Sequence, residues 1–433
     1  MASEVGIGFL GLGTVGAAVA RTLGTRAHYL QRRLGRTFTV RRALVRDMDR
    51  SRDVPFGRDL LTTNPDDVIA SPDIDVIIEV MGGVEPASTY VARALSNGKH
   101  VITANKEMLA SNGVALMRQA AAMNLDLYFE ASVGGGLPLI GPFRQDLAAN
   151  DIREVHAILN GTTNYILTQM STGGSDYATA LTEAQQLGYA EPDPTNDVEG
   201  HDAAYKITIL AILAFEADVR PAQVYREGIT KLGAADFRYA AELGYSIKLL
   251  AIAKERPEGI EVRVHPALVP RASLVGQVDG VYNVVRINGD LIGTALFIGR
   301  GAGPEPTSSA IVSDLIDLGH NLRAGAHART PVLFENPVPV LPMSQVRSRY
   351  YLRLWVTDRP GVLARITAVC GEEEISIASI IQKEADRSAG QAEIVLLTHE
   401  AVEASMQNAL TRIARLDVVA SVASFIRIED LPA

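Results

Sequence analysis

The segment from residue 188 to residue 202 concentrates groups that could bind or protonate a small polar molecule. It places five carboxylates within twelve positions and reads Gly188-Tyr189-Ala190-Glu191-Pro192-Asp193-Pro194-Thr195-Asn196-Asp197-Val198-Glu199-Gly200-His201-Asp202. Asp202 could cap a helix that starts there, and Lys206 lies four residues later on the same helical face. A lysine among carboxylates is a candidate proton donor. The alternative is a solvated acidic loop with an ordinary surface ion pair.

The helix predicted after Lys206 is almost wholly apolar, with Ile207, Ile209, Leu210, Ile212, Leu213 and Phe215 following the lysine. A helix that is apolar on every side is buried in a core. We therefore expect Lys206 to emerge from a core into a cleft. Burial favours a neutral amine and nearby carboxylates favour a charged one, so the sequence leaves the protonation state open.

A glycine-rich hexapeptide near the start of the chain predicts a dinucleotide site. The motif Gly11-Leu12-Gly13-Thr14-Val15-Gly16 follows a predicted strand and opens a predicted helix. The first glycine permits a tight turn, the second lets backbone approach a pyrophosphate, and the third allows close packing of helix on strand. The helix N-terminus would then face the phosphates. A structural turn or a different nucleotide is the less favoured interpretation.

The end of the second predicted strand bears on the choice between NAD and NADP. It reads Leu44-Val45-Arg46-Asp47. Arg46 could form a fork on a 2′-phosphate, while Asp47 could accept hydrogen bonds from ribose hydroxyls. A solvated charged loop would have the same sequence. We predict that NADP(H) is the preferred carrier and that NAD(H) is also used.

Strands alternate with helices over residues 5 to about 130, which predicts βαβ units in a Rossmann-type parallel sheet. The predicted strands are 5–10, 38–45, 75–80, 100–103 and 125–129, and one helix is predicted over 15–34. An α+β region follows, with helices 177–187 and 202–215 ahead of strands 246–253, 261–264 and 291–298. A further helix over 307–318 could pack back on the first domain.

Four prolines between residues 330 and 342 predict an extended linker. Beyond it the predicted order is strand, helix, strand, strand, helix, strand, over 351–356, 360–369, 375–381, 393–397, 402–416 and 418–428 respectively. This βαββαβ order is typical of a small ferredoxin-like domain. The predicted domains are 1–136 for the dinucleotide (with helix 305–320 packing back on it), 137–304 for the substrate, a linker over 321–349, and 350–430 at the end.

Composition and charge exclude several classes of function. The chain has 433 residues, of which 47% are hydrophobic and 21% charged, as in a globular protein of two or three domains. A net charge of −9 argues against nucleic acid and anionic membranes as partners. Cys370 is the single cysteine, which fits a reducing compartment. Because we find neither a targeting segment nor an apolar run of membrane length, we expect a cytoplasmic protein.

Together these motifs resemble the homoserine dehydrogenases that carry a C-terminal ACT regulatory domain. The resemblance rests on the glycine motif, Thr103-Ala104-Asn105-Lys106, Glu130-Ala131-Ser132-Val133-Gly134-Gly135-Gly136-Leu137-Pro138, Asn160-Gly161-Thr162-Thr163-Asn164-Tyr165, and the segment from Gly188 to Lys206. With the ACT pattern, they account for nearly the whole chain. The resemblance implies an NAD(P)-dependent oxidoreductase of threonine and methionine biosynthesis that interconverts L-homoserine and L-aspartate 4-semialdehyde.

The resemblance also implies a role for individual residues. Lys206 would give the proton to the carbonyl oxygen during reduction, Glu191 and Asp202 would hold the substrate amino group, and Asp197 would be a further acid of the site. Lys106 would lie near the nicotinamide and the substrate, and Gly303 near the cofactor. A Na⁺ site of backbone carbonyls and one carboxylate is implied at Glu130, Val133, Gly135 and Leu137. The same glycine-rich stretch could instead be a hinge.

The loop Thr357-Asp358-Arg359-Pro360-Gly361-Val362-Leu363 resembles the amino-acid-binding loop of ACT domains. Pro360 at the helix start would leave N–H groups free to bind a carboxylate, and Asp358 and Gly361 are the implied effector residues. The implied effector is L-threonine, and the implied assembly is a homodimer or homotetramer. The alternative is a pairing domain that binds no ligand.

Two other functions compete with this interpretation. An aldehyde dehydrogenase that forms a thioester needs a cysteine in its catalytic domain, and Cys370 lies in the ACT region. A non-catalytic amino-acid sensor with a dinucleotide fold would be expected to have lost part of the set formed by Glu191, Asp202 and Lys206. That set is intact.

Overall fold

Most apolar runs of the sequence form strands in the computed structural model, which describes residues 3–329, 331, 332, 334, 338–386 and 390–432. The strands are β1 Ser3–Leu10, β2 Arg36–Leu44, β3 Leu61–Thr62, β4 Val76–Glu79, β5 His100–Thr103, β6 Leu127–Tyr128, β7 Ile152–Ile158, β8 Tyr225–Arg226, β9 Tyr245–Arg256, β10 Gly259–Pro270, β11 Tyr282–Gly289, β12 Gly293–Arg300, β13 Arg347–Thr357, β14 Ile377–Asp386, β15 Gln391–Thr398, β16 Ala401–Val402 and β17 Val419–Ile428.

Helices occupy most of the amphipathic stretches between these strands. They are α1 Thr14–Thr25, α2 Ala27–Leu34, α3 Asp66–Ile69, α4 Ala87–Ser96, α5 Lys106–Ala122, α6 Ile140–Arg144, α7 Gly161–Thr172, α8 Tyr177–Gln186, α9 Thr195–Val198, α10 His201–Phe215, α11 Ala234–Glu242, α12 Pro304–Ala324, α13 Val362–Glu372 and α14 Glu403–Ile413. None of the helices in the described part of the chain is both long and apolar enough to cross a membrane.

Tertiary contacts group the chain into two units, which are described separately. The first unit contains residues 1–155, 205–222 and 283–338, and the second contains residues 156–204, 223–282 and 339–433. The domain boundaries proposed from the sequence stay a prediction.

The first unit contains a six-stranded parallel sheet in the order β3-β2-β1-β4-β5-β6. This is the doubly wound order in which dinucleotides bind where the strand order reverses, between β1 and β4. The predicted fold class is confirmed. The single helix predicted over 15–34 is wrong, because α1 ends at Thr25 and α2 starts at Ala27.

Helix α12 packs in the core of the first unit and is longer than the predicted 307–318. Its buried Ile311, Leu315 and Leu318 belong to the same apolar cluster as Ile7 of β1 and Val19 of α1. The helix ends at Ala324 and is capped by Gly325, whose φ of 64° suits a left-handed C-terminal cap.

The second unit is built around the strand order β9-β10-β17-β13-β15-β14. Residues 347–428 form the predicted βαββαβ arrangement, with the short β16 as an addition. Strand β17 pairs antiparallel with β13 and parallel with β10, at Ala267↔Arg427 and Leu268↔Ile428. The C-terminal module therefore shares one continuous sheet with the β9–β10 hairpin.

Two sequence-based expectations for the middle of the chain are corrected. The helix predicted over 177–187 was expected to open this region, but α6, β7 and α7 precede it. Strand β11 was also not predicted. Near the C-terminal module, Pro360 does not start a helix, because α13 begins at Val362 with Gly361 as its N-cap.

Candidate active site

The three glycines of the hexapeptide have different steric surroundings. Gly11 has φ of 97°, and a Cβ there would lie 2.9 Å from the Val80 carbonyl oxygen. A Cβ on Gly16 would lie 2.7 Å from the Gly11 carbonyl oxygen, so close helix–strand packing requires glycine. By contrast, a Cβ on Gly13 would meet nothing within 4 Å. Gly13 is the N-cap of α1, so its open surroundings allow a phosphate to approach the helix N-terminus.

A crevice of about 660 Å³ lies beside this turn, at the carboxyl ends of β1, β2 and β4. Its lining includes Gly11, Leu12 and Gly13 together with Arg46, Asp47, Arg50 and Arg52. A parallel sheet of this order binds dinucleotides at this position. The structure therefore brings the first three residues of the glycine motif together with Arg46 and Asp47, and their contact with a dinucleotide stays a prediction.

Two of these arginines were not singled out from the sequence. Arg52 donates from Nε to the Leu12 carbonyl oxygen at 3.1 Å and from Nη2 to the Asp47 carbonyl oxygen at 2.8 Å. The Asp47 carboxylate accepts the N–H groups of Asp49 and Arg50 through Oδ1. Asp47 thus stabilises its own turn. The short spacing of Arg46, Arg50 and Arg52 was the signal that could have revealed a cationic loop.

Lys106 is the first residue of α5 and is half-buried. Asn105 precedes it as the N-cap, accepting the N–H of Met108 at 3.1 Å and donating to the Gly83 carbonyl oxygen at 2.7 Å. Behind this turn lies Glu79, whose carboxylate accepts from Thr103 and from the N–H of Met81. Burial raises the pKa of the Glu79 carboxyl. These contacts fix the end of β5 and hence the position from which Lys106 extends.

Asn160 joins two of the predicted acids. It caps α7, and its Oδ1 accepts the N–H of Thr163 at 2.9 Å. Its Nδ2 donates to Asp197 Oδ1 at 2.7 Å and to Asp202 Oδ2 at 2.9 Å. One amide therefore links two carboxylates from positions 37 and 42 residues further along the chain. Asn160 belongs to one of the motifs on which the family resemblance rests, but the sequence did not predict that its amide would bind both Asp197 and Asp202.

The remaining residues of the acidic segment differ in exposure. Glu191 is exposed, and its carbonyl oxygen accepts from Gln185 Nε2 at 3.2 Å. Asp202 is 4% exposed and Lys206 is 8% exposed. Asp202 is not the N-cap that the sequence suggested, because α10 already begins at His201 after the left-handed Gly200. Asp202 instead lies in the first turn of the helix that carries Lys206 one turn later.

The proposed cation loop belongs to the first unit. Gly134 and Gly135 have φ of 71° and 46°, which curls the backbone between Glu130 and Leu137. The Glu130 carboxylate accepts the N–H groups of Leu139, Ile140 and Gly141. A carboxylate offers about four acceptor positions, so three are already used. Backbone carbonyl oxygens are hard donors of the kind that suits Na⁺, but the Glu130 carboxylate predicted as a ligand is largely occupied by these three N–H groups.

A separate cluster in the first unit contains His100, Asp126 and His327. The Asp126 Oδ2 atom lies 3.0 Å from His327 Nδ1 and 3.6 Å from His100 Nδ1. The His100 Nδ1 atom accepts the N–H of Asp126 at 3.1 Å, so its lone pair is engaged. Asp126 Oδ1 also accepts the N–H of Ala328. The cluster therefore ties the end of α12 to β6 by hydrogen bonds.

The two remaining predicted sites lie at helix starts. Gly303 caps α12 with φ of 132°. Asp358 and Gly361 are exposed in the loop between β13 and α13, and Gly361 has φ of 90°. The Asp358 N–H donates to the Gly390 carbonyl oxygen at 2.9 Å.

Comparison with known proteins covers almost the whole chain. Family profiles match for "Homoserine dehydrogenase, NAD binding domain" over residues 11–130, "Homoserine dehydrogenase" over 138–316 and "ACT domain" over 350–417. Homoserine dehydrogenases of Neisseria gonorrhoeae and Pseudomonas aeruginosa are 43% and 41% identical, each covering 99% of both chains.

Solved structures agree with these matches. A homoserine dehydrogenase from Thiobacillus denitrificans is 45% identical, with a TM-score of 0.91 and 99% of both chains covered. A hyperthermophilic archaeal homoserine dehydrogenase in complex with NADPH is 26% identical, with a TM-score of 0.62 over 74% of this chain and 98% of that one. The chain therefore belongs to the homoserine dehydrogenase family, as an NAD(P)-dependent oxidoreductase with an ACT domain in its C-terminal region.

Proposed function

We propose that this chain reduces L-aspartate 4-semialdehyde to L-homoserine reversibly, with NADP(H) as the preferred hydride carrier. The observation that carries the proposal is the Asn160 amide, which holds Asp197 and Asp202 at the start of the helix that contains Lys206. A non-catalytic sensor would gain nothing from a buried lysine one turn beyond a paired set of acids.

Lys206 is the proposed proton donor. When bound, the nicotinamide supplies the hydride that adds to the aldehyde carbon. Lys206 gives a proton from Nζ to the carbonyl oxygen, directly or through one water, and so completes the alcohol. The residue as a whole is only 8% exposed, and such a largely water-excluded setting strengthens the interaction of a cation with a developing alkoxide.

The acids are proposed to orient the substrate. Asp202, Asp197 and Glu191 bind the ammonium group through charge-assisted hydrogen bonds, and Asp202 also supports the catalytic helix from its first turn. Lys106 is proposed to contact the substrate and the cofactor. Holding the reactants in register would contribute much of the rate enhancement.

The preference for NADP(H) is supported by the charge of the crevice beside the glycine turn. Arg46, Arg50 and Arg52 line it, and a guanidinium can grip a phosphate with two hydrogen bonds. The Asp47 carboxylate, the usual type of ribose acceptor, already accepts two backbone N–H groups. We propose NAD(H) as a weaker second carrier, with Gly303 contacting the bound dinucleotide.

The remaining proposals concern ions, effector and assembly. Backbone oxygens of Glu130, Val133, Gly135 and Leu137 would hold Na⁺. L-Threonine is the proposed effector, bound at Asp358 and Gly361, and the proposed assembly is a homodimer or homotetramer in the cytoplasm. The ACT family match supports an amino-acid effector in general terms.

The decisive experiment follows the oxidation of NADPH and of NADH with L-aspartate 4-semialdehyde, with and without L-threonine. We expect turnover with both carriers, a lower KM for NADPH, and inhibition by L-threonine. The absence of turnover above background with either carrier would contradict the proposed function and favour the sensor.

A further inference from the structure

Residues 225–230, called here the connecting segment, lie between the acidic segment and the last strand of the ACT region. All three parts belong to the second unit. The connecting segment contains the short strand β8, which pairs parallel with β10 at Arg263↔Tyr225 and Val264↔Arg226. The proposed mechanism assigns it no role.

On one side the connecting segment is bound to residues 198 and 199. The N–H of Ile229 donates to the Val198 carbonyl oxygen at 2.9 Å. Thr230 donates through its hydroxyl to Glu199 Oε1 at 3.1 Å, and Arg226 Nη1 donates to the Glu199 carbonyl oxygen at 3.1 Å. A Cβ on Gly228 would lie 2.5 Å from the Val198 carbonyl oxygen. The two backbones are thus in direct contact, and a shift of one must shift the other.

Val198 directly follows Asp197, which receives one hydrogen of the Asn160 amide at 2.7 Å. The other amide hydrogen binds Asp202 at 2.9 Å. Both bonds are near the optimum for a charged acceptor and weaken with distance and misalignment. Displacement of residues 198–199 would therefore disturb the pairing of the two acids.

On its other side the connecting segment is bound to Arg427 of β17. Arg427 donates from Nη1 to Glu227 Oε2 at 3.0 Å and from Nη2 to the Tyr225 hydroxyl oxygen at 3.2 Å. Its Nε donates to Glu403 Oε2 at 2.8 Å. Burial alone would lower the pKa of Arg427, but Glu403 and Glu227 outweigh that effect and raise it. This fully buried side chain is therefore a permanent cation, with Glu227 as one of its counter-charges.

The connecting segment also borders open space. A crevice of about 590 Å³ is lined by Arg226, Glu227 and Lys231 on one side and by Ser424 and Phe425 of β17 on the other. The Glu227 side chain is 35% exposed. The Glu227 side chain is therefore partly open to this crevice, whereas Ile229 of the same segment is fully buried.

We propose that Glu227 is a positioning residue, through which Arg427 of the ACT region holds the acidic segment in its substrate-binding geometry. The inference rests on the proposed function and extends it to regulation. An effector that moves β17 would change the affinity for the substrate by way of the Arg427–Glu227 contact. The change caused by the effector would appear in the KM for the substrate. The contacts that run from Arg427 through Glu227 to the acidic segment do not include the amine of Lys206 or the cofactor crevice.

The test compares Glu227→Gln with the exposed Glu255→Gln as a matched control in the full-length chain. A hydrogen bond to a charged group contributes about 1.5–3 kcal/mol, equivalent to at least ~10-fold. For Glu227→Gln we expect a ~10-fold higher KM for L-aspartate 4-semialdehyde, a kcat within about twofold, and a matching loss of L-threonine inhibition. Glu227→Asp should restore part of the affinity. Thermal unfolding checks that both variants are folded.

Three outcomes would overturn the inference. One is an unchanged KM in Glu227→Gln. Another is a fall in both kcat and Tm without a change in KM, because that combination indicates general destabilisation of the variant. A third is undiminished L-threonine inhibition in that variant. If the wild-type chain shows no turnover, the proposed function fails as well, whereas an active wild type with a normal Glu227→Gln variant refutes this inference alone.

Discussion

The Asn160 amide offers the sharpest test of the active-site geometry, through the substitution Asn160→Asp. Aspartate is as good an N-cap as asparagine, so the bond from the Thr163 N–H can be kept. What changes is the donor, because an oxygen replaces the NH₂ group that binds Asp197 and Asp202. The variant therefore replaces two hydrogen bonds by repulsion among three carboxylates.

The magnitude follows from those two contacts. Each charge-assisted bond contributes about 1.5–3 kcal/mol, so two lost bonds cost at least about 3 kcal/mol. Since about 1.4 kcal/mol is tenfold, we expect kcat/KM for L-aspartate 4-semialdehyde to fall by ~10²-fold at mildly alkaline pH. Lowering the pH should restore part of the activity, because a proton shared by the cluster restores a donor.

The assay is a series of initial rates against pH, with Asn164→Asp as the matched control. Asn164 lies in α7, the helix that Asn160 caps. It also donates two hydrogen bonds from Nδ2, to the carbonyl oxygens of Val278 and Tyr282. The control should lower Tm without producing the pH-dependent loss of kcat/KM. If Asn160→Asp keeps kcat/KM within threefold of wild type, or if the control shows the same pH profile, the role assigned to the amide is wrong.

Four other predictions can be measured independently. Lys206→Ala should lower kcat by at least ~10²-fold with unchanged NADPH affinity in a fluorescence titration, and an equal loss of NADPH binding would contradict proton donation. Arg46→Ala should raise the KM for NADPH more than that for NADH, and an unchanged ratio would exclude the phosphate contact. Asp358→Ala and Gly361→Val should weaken inhibition by L-threonine, and full inhibition in both would place the effector elsewhere. His265 is buried between Arg263 and the Pro266 carbonyl oxygen, and burial, then Arg427 and Arg263, hold its pKa well below the ordinary value. The unfolded state therefore binds an extra proton at pH values below about 6.5, so the free energy of unfolding should fall by up to about 1.4 kcal/mol for each pH unit by which the pH is lowered there. In urea unfolding, His265→Asn should lack this part of the pH dependence, and an identical pH dependence in the variant would contradict the role of His265.

Local patterns were enough to predict the dinucleotide-binding sheet. Apolar runs that end in glycine or polar residues specify β1, β2, β4 and β5, and the spacing of Gly11, Gly13 and Gly16 specifies the turn. The break between α1 and α2 was missed because the apolar spacing continues across Arg26. The backbone stops being helical at that residue alone, with φ of −103° and ψ of 9°.

The residue types of the candidate active site could be read from the sequence, but the contacts between them could not. Asp202 and Lys206 stood out because acids and a lysine precede an apolar helix, whereas Asp197 was chosen through the family resemblance. The bonds of Asn160 to two of those acids span 37 and 42 residues, and no local pattern encodes such a distance. The same holds for Arg427, which contacts Glu227 across 200 residues.

The pairing of β17 with β10 has a consequence for any attempt to separate the regulatory region. A chain cut before β13 would leave β10 without its neighbour at Ala267 and Leu268, beyond the short stretch that pairs with β8. Unpaired N–H and C=O groups on an apolar strand recruit other chains. Such a fragment would also lose Arg427, leaving Glu227 without its cation. Removing the ACT region should therefore produce an aggregating and poorly ordered enzyme instead of a desensitised one.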